Sequence, residues 1–485
     1  MSEYVTRAGL KPLSAALAVL AAASLACGLG GSSAPRPTPS GSPTPIIDFP
    51  ATARAEATPT IAEPDTLPTP VAFDGRACLI TSSAGQLTCV DAQGLRLFTE
   101  ADFTLGDDYA TDITACGDRF AITYYDDVVL FDGAQFEQIP VELPEEAYGL
   151  DTVTCDPAGE TIAVGAGGGF VLLYRDHAWQ TFNLQEQDRD DDPEFTDVVD
   201  VALPGDGTLW VALGYNLARW DGSHWQVFAQ GQDWGAAVYF SQLAVAPEGV
   251  VYAASDFGLM RFDGELLPID NSQAAGALGL AVTSNNILAG HGFGAFLLDR
   301  AGATVAAHPV GERPELPFAA SIYSVALDGL GRSWLGTTYG LLLVDETGAY
   351  HLYRMSNTTM ADNAIDSLAV IGTPPMLPVV EHAPGTLTAV ILRDNKPLAD
   401  MPVVICALDY ALETPCAGDP DFRTTRTAAD GTFTFTDLPR AAYSMHVQIE
   451  NDAWTYLTDA DGYFLSPVLV DAGSAVDLGP VGVDE

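Results

Sequence analysis

Residues 198–228 read VVDVALPGDGTLWVALGYNLARWDGSHWQVF. Four short apolar-rich stretches, Val198–Leu203, Thr208–Leu213, Asn216–Trp220 and His224–Phe228, alternate with turn-forming residues. Asp206-Gly207 and Asp221-Gly222 supply the left-handed backbone that tight hairpins need. The stretch therefore predicts a four-stranded antiparallel unit. The frame recurs as SQLAVAPEGVVYAASDFGLMRFDGELLPI and YSVALDGLGRSWLGTTYGLLLVDETGAYHLY, with looser copies on either side. Aligning the second strands places equivalent positions at Cys78, Phe120, Ile162, Trp210, Tyr252, Leu288 and Trp334. A four-stranded unit repeating every ~40–50 residues is the pattern of a propeller blade, and seven units predict seven blades. The expected fold class is all-β, with the propeller spanning residues 69–371.

Ring closure is also legible. The copy around Cys78 has a poor first strand, because Pro68 and Pro70 crowd the segment before it. Ile365-Asp366-Ser367-Leu368-Ala369-Val370 matches the first-strand pattern of SQLAVA and is expected to fold back as the innermost strand of the first blade. The alternative gives that role to Val71–Phe73. Trp210, Trp334 and Tyr252 share one repeat position and are expected to pack blade against blade.

The units TLWVALGYNLARWDGSHW and RSWLGTTYGLLLVD resemble the two-component-regulator type of propeller repeat, with its aromatic-aliphatic-Gly-Thr-x-x-Gly-aliphatic core. The resemblance covers roughly 70–371 and is strongest over 198–355. It implies a periplasmic or surface protein. The chain contains no kinase region, so the implied role is binding or scaffolding. From about 379 the repeat stops, and alternating strands surround an Asp430-Gly431 turn. Thr427, Asp430, Gly431, Phe433, Phe435, Leu438, Pro439 and Tyr443 match the stretch T-x-x-D-G-x-F-x-F-x-x-L-P-x-x-x-Y. This region, 379–485, resembles the carboxypeptidase-regulatory-like or collagen-adhesin B-type β-sandwich, which implies a stalk or adhesion module.

The N-terminus carries Arg7 and Lys11, the apolar run Leu13 to Ala26, and then Cys27. The run is shorter than the ~20 residues a spanning helix needs and has the layout of an export signal. Ser24-Leu25-Ala26-Cys27-Gly28 resembles a bacterial lipobox, with Ser24 where an aliphatic residue is usual; an ordinary signal peptide cut near Ala26 is the alternative. The resemblance implies a signal over 1–26, lipidation of Cys27, and attachment to a membrane through that lipid alone. Residues 27–68, rich in Pro, Ser and Thr, predict an extended tether. Export permits disulfides. Spacing pairs Cys78 with Cys89 on adjacent strands, Cys116 with Cys155 at one position of neighbouring blades, and Cys406 with Cys416 around one loop.

The chain has 20 Lys+Arg against 65 Asp+Glu, a net charge of −45. A surface that negative gains no counterion release from a polyanion, which excludes nucleic acid as a partner. Cationic partners and divalent metals remain open. Asp188, Asp190 and Asp192 imitate the start of a calcium loop, but Pro193 stands where that loop wants Gly and Val199 where it wants Glu. A solvated acidic loop is the expected reading, and calcium is the one cofactor the sequence suggests. Gly165-Ala166-Gly167-Gly168-Gly169 aligns with strand-to-strand turns rather than with a phosphate loop opening a helix. The seven histidines form no metal or catalytic motif.

A site, if the propeller has one, is expected on its axial face, lined by second-to-third-strand turns. Repeat alignment puts Tyr124, Asp126, Tyr215, Asn216, Asp256, Phe257, His291, Phe293 and Tyr339 there. The expected function is non-enzymatic: a cell-surface lipoprotein whose propeller binds a protein, a glycan or a small molecule. A propeller hydrolase or lyase using the axial face, and a purely structural envelope component, are the alternatives.

Overall fold

The structure is a computed structural model. It describes residues 74–483 apart from 82–85, 100–101, 103–108, 186–196, 229–237, 264, 270–273, 318–319, 408–414, 417–418, 420, 450–452 and 460–461. The export signal, Cys27, the tether, Val71–Phe73 and the Asp188, Asp190, Asp192 loop lie outside the described residues.

Seven four-stranded antiparallel sheets form a seven-bladed propeller, and the described residues contain no α-helix. Blade 4 shows how the sequence makes one. Its strands Asp200–Ala202, Leu209–Leu213, Asn216–Trp220 and Trp225–Phe228 run from the axis outward in chain order. The second strand, buried on both faces, is wholly apolar, whereas the outermost alternates. Gly207 and Gly222 take φ of 88° and 94° in the two turns. The aligned second-strand residues Cys78, Phe120, Ile162, Trp210, Tyr252, Leu288 and Trp334 are all at most 2% exposed. Trp210 meets Phe262 of blade 5 at 4.5 Å between ring centroids, so this position does pack blade on blade.

The inner strands of blades 1 to 7 are Ile365–Ile371, Asp112–Cys116, Leu150–Cys155, Asp200–Ala202, Phe240–Val245, Gly279–Val282 and Ile322–Leu327. Each contacts the next, and blade 7 returns to blade 1, so the ring is closed. Blade 1 is composite. Its three outer strands come from Arg76–Phe98, and its inner strand, Ile365–Ile371, pairs antiparallel with Arg76–Thr81 in the register Cys78↔Ala369. Closure thus joins the two ends of the propeller by strand pairing.

Three disulfides are present. Cys78–Cys89 ties two strands of blade 1, Cys116–Cys155 ties the inner strands of blades 2 and 3, and Cys406–Cys416 closes a loop near the C-terminus.

After the propeller comes a β-region of nine strands, from Gly385–Arg393 to Ala475–Val483. Its first strand pairs parallel with its last and antiparallel with Thr432–Leu438. Phe433 and Phe435 are buried beside Leu387, Ile405, Tyr443 and Leu457, while Thr434 on the opposite face is exposed. Period-two alternation sets that division.

Candidate functional site

Antiparallel pairing puts the start of every inner strand beside the turn between second and third strands, as in Asp112↔Thr123 and Asp200↔Ala212. One end of the ring therefore carries both features; we call it the turn face. Tyr109, Tyr125, Tyr148, Tyr239, Phe257, Phe293 and Tyr323 are the exposed aromatic side chains of the propeller among the described residues, and all seven lie on this face. Leu278 is exposed among them. Blades 2, 3, 5, 6 and 7 all contribute.

The rings are held by backbone beneath them. A Cβ on Gly167 would fall 2.4 Å from the Tyr148 ring, and one on Gly149 would fall 2.9 Å from the Tyr125 ring. Glycine lets each aromatic plane lie against main chain at these two points. Tyr148 also donates to Asp197 at 2.6 Å, and Tyr215 meets Tyr239 edge to face at 5.3 Å.

At the centre of the face opens an axial cavity of about 850 Å³, walled by the inner strands of blades 1 to 7. Alternation along those strands sorts the residues into two rows. Thr111, Asp151, Tyr323 and Asp366 stand at the mouth. The next position on these strands reaches toward neighbouring blades: Ser367, Asp112, Thr152, Asp200 and Gln242 in blades 1 to 5.

Hydrogen bonds run through this second row. Ser367 donates to Asp112 at 2.7 Å, and Asp112 also accepts from Val153 N at 2.9 Å in blade 3. The Thr152 hydroxyl lies 3.2 Å from Asp112 and 3.0 Å from Asp200. Asp200 accepts in turn from Leu243 N at 2.6 Å and Gln242 Nε2 at 2.9 Å in blade 5. Side-chain carboxylates thus stitch blades 1 to 5 around the axis.

Thr152 has one hydroxyl proton for two carboxylates, so a second proton is needed to satisfy both. Burial, reinforced by the Asp112 charge, pushes the Asp200 carboxyl up to about 7. Burial likewise raises Asp112. Asp151 at the mouth is pushed up to about 6, first by the desolvating walls and then by the charge of Asp197.

Most described arginines of the propeller lie away from this face. Arg76 and Arg119 begin second strands, Arg175, Arg219 and Arg261 lie at or near the ends of third strands, and Arg332 lies in a first-to-second-strand turn, all at the opposite end. Arg313, exposed in the loop between blades 6 and 7, is one exception, and Arg354 is another. Its guanidinium stands 3.8 Å from the centroid of the Tyr339 ring and pairs with Asp421 of the C-terminal β-region, while Tyr339 donates to Asp421 at 2.9 Å. Arg440 adds a bond to Met360 O at 2.6 Å.

The aligned turn residues divide accordingly. Asp126, Asp256, Phe257 and Phe293 are exposed on the turn face, and Tyr215 is half-buried. Tyr124, Asn216, His291 and Tyr339 are buried. His291 lies beneath the face, stacked on Phe293 with centroids 4.6 Å apart. Tyr339 is committed to the C-terminal β-region. In blade 2 the pair Thr123↔Val128 encloses two more residues than the equivalent pairs, so Tyr125, not Tyr124, reaches solvent. Tyr109, Tyr148, Tyr239 and Tyr323 escaped the sequence reading because they begin the inner strands rather than occupy the aligned turns. Asp112 and Asp200 escaped it too; the period-two polar position of the first strands was their signal. Among the described residues, no group of three or more His, Cys, Asp or Glu is arranged to hold a metal ion.

No family model matches the chain, and no curated protein matches it. Solved structures resemble it at low identity. A catalytically inactive virginiamycin B lyase from Staphylococcus aureus with quinupristin is 12% identical, at a TM-score of 0.40 over 52% of this chain and 86% of that one. The WD40 β-propeller domain of Doa1 is 15% identical, at a TM-score of 0.40 over 53% of this chain and 84% of that one.

Proposed function

We propose that this protein is an exported, non-enzymatic binding protein of the bacterial cell surface, anchored through a lipid on Cys27, whose propeller holds a ligand on its turn face. The observation that carries the reading is the confinement of exposed aromatic side chains to one end of the ring, around an open axial cavity. Exposed apolar surface gathered in one place costs solubility and marks interaction sites. Three disulfides suit an oxidising, extracytoplasmic setting. The propeller repeats belong, in this reading, to the two-component-regulator type. The C-terminal region, 379–485, serves as a β-sandwich for adhesion or spacing, and the Tyr339–Arg354–Asp421 cluster braces it against blade 7.

Two variants test this. Cys27→Ala is expected to move the protein from the membrane fraction to the soluble fraction; unchanged partition contradicts the anchor. Phe257→Ala with Phe293→Ala is expected to abolish sedimentation of the soluble protein with isolated cell-envelope material. Sedimentation equal to that of the parent contradicts a binding role for the turn face.

A further inference from the structure

Resting on that reading of the turn face, we propose that its occupant is an arginine-rich peptide segment of a partner protein, laid across the aromatic rings with guanidinium groups directed at the carboxylates of the cavity mouth.

Charge complementarity is the first argument. Asp126, Asp151, Asp197, Asp256 and Asp366 are exposed among the rings, and among the described Lys, Arg and His residues of this propeller face only Arg313, in the loop between blades 6 and 7 and stacked over Tyr350, is exposed. A neutral ligand covering the mouth would strip water from these carboxylates and return at most neutral hydrogen bonds. A guanidinium returns charge-assisted, bidentate hydrogen bonds. Desolvation and mutual repulsion already work against the charge on Asp151. A cation there removes the repulsion.

The rings supply the second argument. Tyr and Phe faces attract cations within about 6 Å of the centroid, and arginine stacks on them best. The protein contains its own example. Tyr339, Phe257, Phe293 and Tyr215 occupy the same position of equivalent two-residue turns. At Tyr339 a guanidinium, that of Arg354, sits over the ring and pairs with an aspartate. The other three rings hold the same position in the ring of blades, with Asp256 next to Phe257.

Extent is the third argument. The exposed rings belong to five blades arranged around the mouth. A single small cation would engage one sector of such a surface, whereas a chain bearing several guanidinium groups engages many.

The test is calorimetric titration of the full chain with a nona-arginine peptide at about 0.15 M salt, where long-range attraction to a bulk negative charge is screened beyond ~8 Å. Two variants alter the face: Phe257→Ala with Phe293→Ala, and Asp151→Asn with Asp366→Asn. A third, Asp118→Asn with Glu160→Gln, removes two exposed acids at the opposite end. Neutral oligosaccharides of glucose and of N-acetylglucosamine are titrated in parallel. The proposal expects each face variant to weaken peptide binding at least about tenfold, the opposite-end variant to bind like the parent, and the oligosaccharides not to bind. Equal weakening by all three variants would show attraction to bulk charge alone and overturn it. Oligosaccharide binding lost with Phe257→Ala and Phe293→Ala would overturn the cationic occupant and leave the turn face a binding site. If neither peptide nor oligosaccharide binds, the arginine-rich occupant is overturned, and envelope sedimentation decides the binding role separately.

Discussion

Asp200 shows how one side chain couples the axial belt to pH. In the fold its carboxyl keeps a proton until about pH 7; in the unfolded chain an aspartate releases it near 3.9. Between those values the native state binds the proton that the unfolded state does not. This group's contribution therefore lowers stability as pH rises through that window, with a slope of at most about 1.4 kcal/mol per pH unit. Asp200→Asn is expected to flatten the dependence: between pH 5 and 8 the urea midpoint of the parent should fall more steeply than that of the variant. Parallel curves would contradict the assignment. The residue was hard to find in the sequence because an acid in a strand flanked by Val199 and Val201 is indistinguishable from a solvent-facing one until the neighbouring blade is placed beside it.

At the scale of the element, the inner strand Ile365–Ile371 does what no other strand does, since it brings the end of the propeller sequence to its beginning. Its buried residues Ile365 and Leu368 pack with Trp334 of blade 7 and Leu79 of blade 1. Deleting 365–371 would uncover Arg76–Thr81 and part the first blade from the seventh, with the loss of several buried apolar side chains worth about 2–5 kcal/mol each. The expected result is loss of the cooperative unfolding transition followed by tryptophan fluorescence in urea. A transition within error of the parent would contradict a closing role. This strand was legible because its pattern copies the other first strands. The aromatic residues that begin the inner strands were not, since the sequences before Asp112, Leu150 and Phe240 share no common motif beyond a tyrosine near the strand start. Tyr339 misled for a different reason. Its partner Asp421 is 82 residues away in another fold region, and local alignment carries no trace of that contact.

Over the whole molecule the net charge of −45 acquires a direction. Most propeller arginines gather at one end, where they pair with acids such as Glu137 and Glu248, and the described turn face keeps carboxylates and aromatic rings with only Arg313 and Arg354 at its edge. The repeat made the ring of blades readable, because each unit carries its own strand and turn signals. The polarity of the ring was not readable, because it emerges only when seven unequal turns are set side by side. Composition alone left the charge open to any cationic partner or divalent metal; the fold concentrates part of it around one opening.

Hydroxyl-radical footprinting of the full chain, with and without a saturating nona-arginine peptide, tests the account most directly. Protection is expected at Tyr109, Tyr125, Tyr148, Tyr239, Phe257, Phe293 and Tyr323, with the exposed Tyr463 and Phe464 of the C-terminal β-region unchanged. Protection at Tyr463 and Phe464 with the turn face unaltered, or no protection at all, would contradict it.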